Sequence, residues 1–199
     1  MDSELYSTRV WHIRPCLKQA IDVLESCVQT SDPGIRCPSW RTFGPWPEDG
    51  ASTVRQELSQ LHESRHDATA SALIEIVRDA AIRHQVPTIW FCRTQRPISA
   101  VVYLWCAEAK VPWQRGLDGR LEGSDFPLLI AAAGRIGPAP LRICDTRKPC
   151  SVAETLLDVI SGHSVRVAVC DWTLEGEELI AVRQVATRSV LAIICPSRQ

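Results

Sequence analysis

Four short apolar runs, "TIWFC" (88–92), "LRIC" (141–144), "VRVAVCD" (165–171) and "SVLAIIC" (189–195), are separated by stretches long enough for helices. Apolar runs of this length, without polar alternation, are what strands buried on both faces look like. The intervening segments carry a helical period instead. Residues 98–111, 124–136, 151–161 and 175–187 read as helices, and Ala70 to His84 reads as another ahead of the first strand, with Leu73, Ile76, Val77 and Ala80 on one face. Ser124 or Asp125 caps one of them, and Ser151 with Glu154 three residues on forms a capping-box pattern at the start of another. Strands joined through helices rather than through hairpin turns predict an α/β fold with a mainly parallel sheet and helices on both faces.

Upstream of this alternation the pattern changes. Leu17, Ile21, Leu24 and Val28 place an N-terminal helix over residues 14–30, which "SDPG" terminates. Residues 31–52 hold Pro33, Gly34, Pro38, Gly44, Pro45, Pro47 and Gly50 around Trp40, Phe43 and Trp46, the composition of an irregular linker pinned by aromatics. Val54, Leu58 and Leu61 then space a further helix over 54–62. The expected division is an arm over 1–52 and an α/β domain over 53–199. With 199 residues, 45% of them hydrophobic and 23% charged, one such domain can bury a sizeable core.

Lys+Arg number 22 and Asp+Glu 23, a formal charge of −1, which excludes a global basic field for nonspecific nucleic-acid binding. The nine cysteines are odd in number and form no CxxC, and several sit in the apolar runs, so they read as reduced core residues. The first fifteen residues lack the apolar core of a signal peptide, and no run approaches the ~18 apolar residues of a membrane helix. A cytoplasmic location and no membrane partner are the corresponding expectations.

Three groups of residues have chemical potential. Asp171 closes an apolar strand, where ligands of open α/β sheets collect. It reads either as a magnesium-coordinating carboxylate or as a strand-end cap for the neighbouring loop. Arg65, His66 and Asp67 precede the helix that starts near residue 70, whose free amides favour anions, although Asp67 also suits a plain cap. Arg93, Arg96, Arg115, Arg120 and Arg135, with Trp90, Trp105 and Trp113, form a candidate surface for single-stranded DNA, set against the alternative that the tryptophans are core. The five histidines show no metal spacing, and no serine sits in a G-x-S-x-G turn.

The stretches "TIWFCRTQRPISAVVYLWCAEAKV" (88–111) and "GLDGRLEGSDFPLLIAAAGRIGPAPLRICDT" (116–146) resemble the motor domain of DnaB-type replicative helicases. There a strand ending Phe-Ser-Leu-Glu-Met is followed by a helix ending near Glu-Ala-x-Val, a Gly-x-Leu turn, an alanine-rich helix and a strand ending Ile-Asp-Asp-Thr. Phe91, Glu108, Ala109, Val111, Gly119, Leu121, Asp125, Ala131, Ala132, Pro140, Ile143, Asp145 and Thr146 fall in step with that pattern. Residues 17–43 are similar to the family's linker helix and Gly-Ile segment, "VRVAVCDW" to its Walker B strand, and "SVLAIICPSRQ" to a later strand, so the resemblance runs over about 14–199. It implies a three-layer, RecA-like fold of the P-loop NTPase type.

It also implies that the catalytic positions have been replaced. The family's phosphate loop, Ala-Arg-Pro-Ser-x-Gly-Lys-Thr, falls on residues 64–71. Arg65 matches, Asp67 lies within the loop, Ala70 stands where the lysine belongs, and Ser71 stands for the magnesium-binding threonine. Thr94 occupies the place of the water-activating glutamate, Asp171 that of the Walker B aspartate, and Pro196 falls near that of the strand-end glutamine. The family strand before the phosphate loop falls on "ELSQLHE" (57–63), which is polar and helix-spaced. Only 23 residues lie between Asp171 and Cys195, little room for a DNA-contacting loop, and Gln199 falls before the place of the family's arginine finger, which is therefore not expected to contribute.

Phosphoryl transfer depends on positioning and charge around the phosphates, so these losses predict no efficient ATP hydrolysis. A pseudoenzyme acting through a protein partner is the expectation. The partner would be a replicative helicase or a second copy, met through the N-terminal helix, which in the family packs on a neighbouring subunit. No cofactor is expected. The alternative is a nucleotide-dependent enzyme holding ATP and magnesium through Asp171, Ser71 and Arg65.

Overall fold

The computed structural model describes residues 10–31, 54, 56–60, 67–147, 151–189 and 191–196. In chain order the first elements are β1 (Val10–His12), α1 (Ile13–Ser31), α2 (Asp67–Val77) and β2 (Thr88–Cys92). Then come α3 (Pro97–Ala109), α4 (Trp113–Leu117), α5 (Asp125–Ile136) and β3 (Leu141–Asp145). The last are α6 (Val152–Gly162), β4 (Val167–Cys170), α7 (Gly176–Ser189) and β5 (Ala192–Ile194). Residues 54 and 56–60 are helical as well. The fold is α/β, and its chain divides after His12, Ala68, Arg96 and Ala139 into two compact units, one built on the sheet and one helical.

In the sheet unit the strand order is β1-β3-β2-β4-β5. β2 lies between β3 and β4, parallel to both, with Trp90 opposite Ile143 on one side and Val169 on the other. All five residues of β2 are buried, which is why its sequence is continuously apolar. β5 continues the parallel set beside β4, whereas β1 is an antiparallel edge on β3. The sheet is therefore mixed, and the short β1 is the strand that apolar patterning does not reveal.

Because side chains alternate across a strand, Ile89, Phe91, Cys144, Ala168 and Cys170 share one face. There they form a single apolar cluster with Val152, Leu156 and Val159 of α6 and Val182 and Val185 of α7. Trp90, Ile143 and Val169 point to the other face and are equally buried. α6 begins as the capping pattern predicts: Ser151 takes the N-cap, and its hydroxyl accepts the Glu154 amide. α2 has the predicted core residues Leu73 and Val77 but widens over Arg78–Arg83 into a π-helical turn, in which the His84 amide donates to the Asp79 carbonyl.

In the helical unit α1 packs on α3, α4 and α5, and α3 on α4 and α5. The buried stripe of α1, Cys16, Leu17, Ala20, Val23, Leu24 and Cys27, follows the i, i+3, i+4 spacing of one helix face. α4 approaches α1 closely because Gly116 has no side chain: a Cβ there would lie 3.0 Å from Leu24 Cδ2. α3 and α5 are joined by Trp105, whose indole N–H donates to the Leu129 carbonyl at 2.8 Å, and by an Arg135–Glu108 ion pair at 2.5 Å. Residues 56–60 are helical where the DnaB-like pattern has a strand, and there Glu57 accepts the Ser99 hydroxyl at 2.5 Å.

Two substitutions of opposite sign test this packing. Leu156→Ala removes a fully buried side chain from the cluster and is expected to cost about 2–5 kcal/mol. Lys110 ends α3 at φ 58, a left-handed conformation that costs a side-chain-bearing residue about 1 kcal/mol, so Lys110→Gly is expected to stabilise by a few tenths to about 1 kcal/mol. Urea denaturation midpoints check both.

Candidate functional site

β2 and β4 are parallel neighbours with Phe91 opposite Cys170, so their carboxyl ends deliver residues 93–95 and Asp171 to one place. There the chain leaves β2 in a bend whose successive amides all point at the Asp171 carboxylate. Arg93 N–H donates to Oδ1 at 2.8 Å, Thr94 N–H to both oxygens at 3.1 Å, and Gln95 N–H to Oδ2 at 3.4 Å. The Thr94 hydroxyl donates in turn to the Asp171 carbonyl at 3.5 Å. Asp171 is 8% exposed. Burial pushes its carboxyl above the ordinary aspartate value, and the hydrogen bonds from Arg93, Thr94 and Gln95 pull the other way.

A second layer surrounds this loop. The Arg93 guanidinium forms a two-pronged pair with Glu178 on α7, at 2.9 and 3.3 Å, and lies 3.9 Å above the Trp172 ring. The Trp172 indole N–H reaches the same Glu178 carboxylate at 3.5 Å. Planar guanidinium, planar carboxylate and indole thus hold one another, a geometry that lysine would not reproduce. On the other side of β2, Thr146 donates both its amide and its hydroxyl to the Cys92 carbonyl, at 2.8 and 2.9 Å, which ties the end of β3 to the end of β2.

The structure thus brings two predicted residues, Asp171 and Thr94, into contact. Three amide N–H groups make four contacts with the Asp171 carboxylate, the Thr94 N–H being shared between its two oxygens. In this arrangement both oxygens of Asp171 hold the loop that leaves β2, as a strand-end cap does. Thr94 is exposed and supplies a hydroxyl, a poor base for activating water.

The phosphate-loop position reads differently. Arg65 lies outside the described residues, as do the side chains of residues 67–69. The backbone of 67–71 is helical, with Ala70 buried and Ser71 half-buried inside α2. Among the described residues, no three His, Cys, Asp or Glu side chains gather to hold a metal.

The tryptophans and several arginines of the arginine–tryptophan set have partners within the fold. Trp90, Trp105 and Trp113 are all buried, as large aromatic rings near apolar runs tend to be, and none presents a stacking face. Arg93 is bound to Glu178, Arg135 pairs with Glu108, and Arg115 lies 3.5 Å from both Glu122 and Asp125.

Glu178, Trp172 and Gln95 were not among the sequence candidates. Glu178 and Arg93 are 85 residues apart, and only the β2–β4 pairing with α7 returning beside it makes them neighbours. Gln95 is 7% exposed, and its Oε1 has no hydrogen-bond partner among the described residues.

Removing the carboxylate tests its role. Asp171→Ala leaves three amides without their acceptor and is expected to cost about 1–3 kcal/mol, with faster amide hydrogen exchange confined to residues 93–95. Glu178→Gln breaks a partly exposed pair and is expected to cost under about 1 kcal/mol. Equal exchange in wild type and Asp171→Ala would remove the capping role.

Compared with known proteins, no family model matches the chain. A stretch of 73 residues, 37% of the chain, is 37% identical to the replicative DNA helicase DnaB of Leifsonia xyli subsp. xyli (strain CTCB07). The match covers 16% of that helicase, so the chain spans about one sixth of the length of the curated relative it resembles. No helix of the described residues is long and apolar enough to cross a membrane. The relationship to DnaB is partial and distant.

Proposed function

We propose that this chain is a catalytically degenerate relative of the DnaB motor domain, with a three-layer RecA-like arrangement, that works by binding a protein partner in helicase-dependent DNA replication. The observation that carries this reading is that both oxygens of Asp171 already accept from the amides of Arg93, Thr94 and Gln95. A magnesium ion would compete with that loop for the carboxylate. Thr94 in place of a glutamate, Ala70 in place of a lysine and the helical backbone of 67–71 support the same conclusion. The fold persists at this sheet edge while the groups that would move a phosphoryl group are replaced.

The partner we propose is a replicative helicase ring. α1 spends its apolar stripe inside its own unit, so its contribution to such a contact comes from the opposite side, which carries Arg14, Lys18 and Asp22. A charged contact of this kind weakens with salt.

Two measurements test the reading. In size-exclusion chromatography at micromolar concentrations, this protein is expected to co-migrate with a DnaB-type helicase at low salt and to separate from it at high salt; unchanged elution of both at low salt would overturn the partner. In a thermal-shift scan with ATP, ADP or GTP plus magnesium, no stabilisation is expected. A nucleotide at ~100 times its Kd would stabilise the fold by about 2.7 kcal/mol, and such a shift would favour the nucleotide-dependent alternative.

A further inference from the structure

β5 runs parallel to β4 with Val167 opposite Ala192, Ala168 opposite Ile193 and Val169 opposite Ile194. One more step in the same register sets Cys170 opposite Cys195. Residues paired across parallel strands point to the same face, and the packing agrees: Ala168 and Cys170 belong to the apolar cluster under α6 and α7, and Ile193 and Cys195 pack against that cluster. Neighbouring strands are about 4.7–4.9 Å apart, inside the Cα separation of about 4.4–6.8 Å that a disulfide spans.

The other strand cysteines are placed differently. Cys144 shares the face but pairs with Phe91 on β2, which itself pairs with Cys170, so two strand spacings, roughly 9–10 Å, separate Cys144 from Cys170. Cys92, one residue beyond Phe91, points to the opposite face.

We propose that Cys170 and Cys195 are a dithiol that a peroxide closes into a disulfide, stapling the edge strand β5 to β4. Cys195 is the partly exposed member and Cys170 the fully buried one, which orders the steps. The Cys195 thiolate attacks one peroxide oxygen, breaking the O–O bond and forming a sulfenic acid as hydroxide leaves. The Cys170 sulfur then attacks the sulfenic sulfur; its proton and the departing hydroxyl form water. Two thiols and one hydrogen peroxide give one disulfide and two waters, with sulfur oxidised and peroxide oxygen reduced. A bridge with one partly exposed sulfur is of the labile, reducible kind. The staple would sit one residue before Asp171, at the base of the loop that its carboxylate holds.

The test treats the folded protein with hydrogen peroxide, blocks remaining thiols and maps peptides without reduction. A peptide joining Cys170 to Cys195 is expected, released by dithiothreitol and absent from Cys195→Ser, together with slower hydrogen exchange at Ala192, Ile193 and Ile194 in the oxidised protein. Cys195 advancing to sulfinic acid while Cys170 stays open to alkylation, or Cys195 pairing with a different cysteine, would overturn the proposal. The wild-type map decides the matter even if the variant folds poorly.

Discussion

The Asp171 carboxylate stands between two loops that have no other reason to agree. β2 and β4 end side by side, and each chain must leave the sheet with its amides satisfied. One short acidic side chain at the end of β4 satisfies three consecutive amides leaving β2, which fixes the path of residues 93–95 and places Arg93 over Trp172 and against Glu178. A carboxylate is suited to this because it accepts on both oxygens, whereas an asparagine would turn a donor toward one of the amides. The cost is desolvation of the carboxylate, which the hydrogen bonds offset in part.

In open α/β sheets the carboxyl ends of the strands are where ligands collect, because loops there are free to vary over a rigid core. Here that edge is closed by the chain's own groups. The carboxylate accepts from three amides, and the guanidinium pairs with Glu178. The apolar cluster of β2, β4, α6 and α7 is built without Asp171, Thr94 or Ser71.

Much of the fold was legible in the residues. "TIWFC" became β2 without a shift of boundary, and the predicted helices over 98–111, 124–136, 151–161 and 175–187 appear within a few residues of their expected ends. Local patterning suffices there because a continuously apolar run and a 3.6-residue period each have few packings that exclude water. β1 escaped because three residues at a sheet edge carry no period, and its pairing partner β3 is over a hundred residues away. The π-helical turn over Arg78–Arg83 escaped because its side-chain spacing suits an ordinary helix equally well. The tryptophans in the arginine-rich stretches could be read as core or as surface, and burial placed Trp90, Trp105 and Trp113 in the core.

The site divides in the same way. The sequence alone determined that Asp171 closes an apolar strand and that strands alternate with helices, since these are properties of neighbouring residues. Only the tertiary structure decided what Asp171 does and who its neighbours are. Its partners lie 76 to 78 residues away, and Glu178 lies 85 from Arg93. Contacts at that distance are created by strand pairing and helix return, so the amides of residues 93–95 around the Asp171 oxygens could not be read from neighbouring residues.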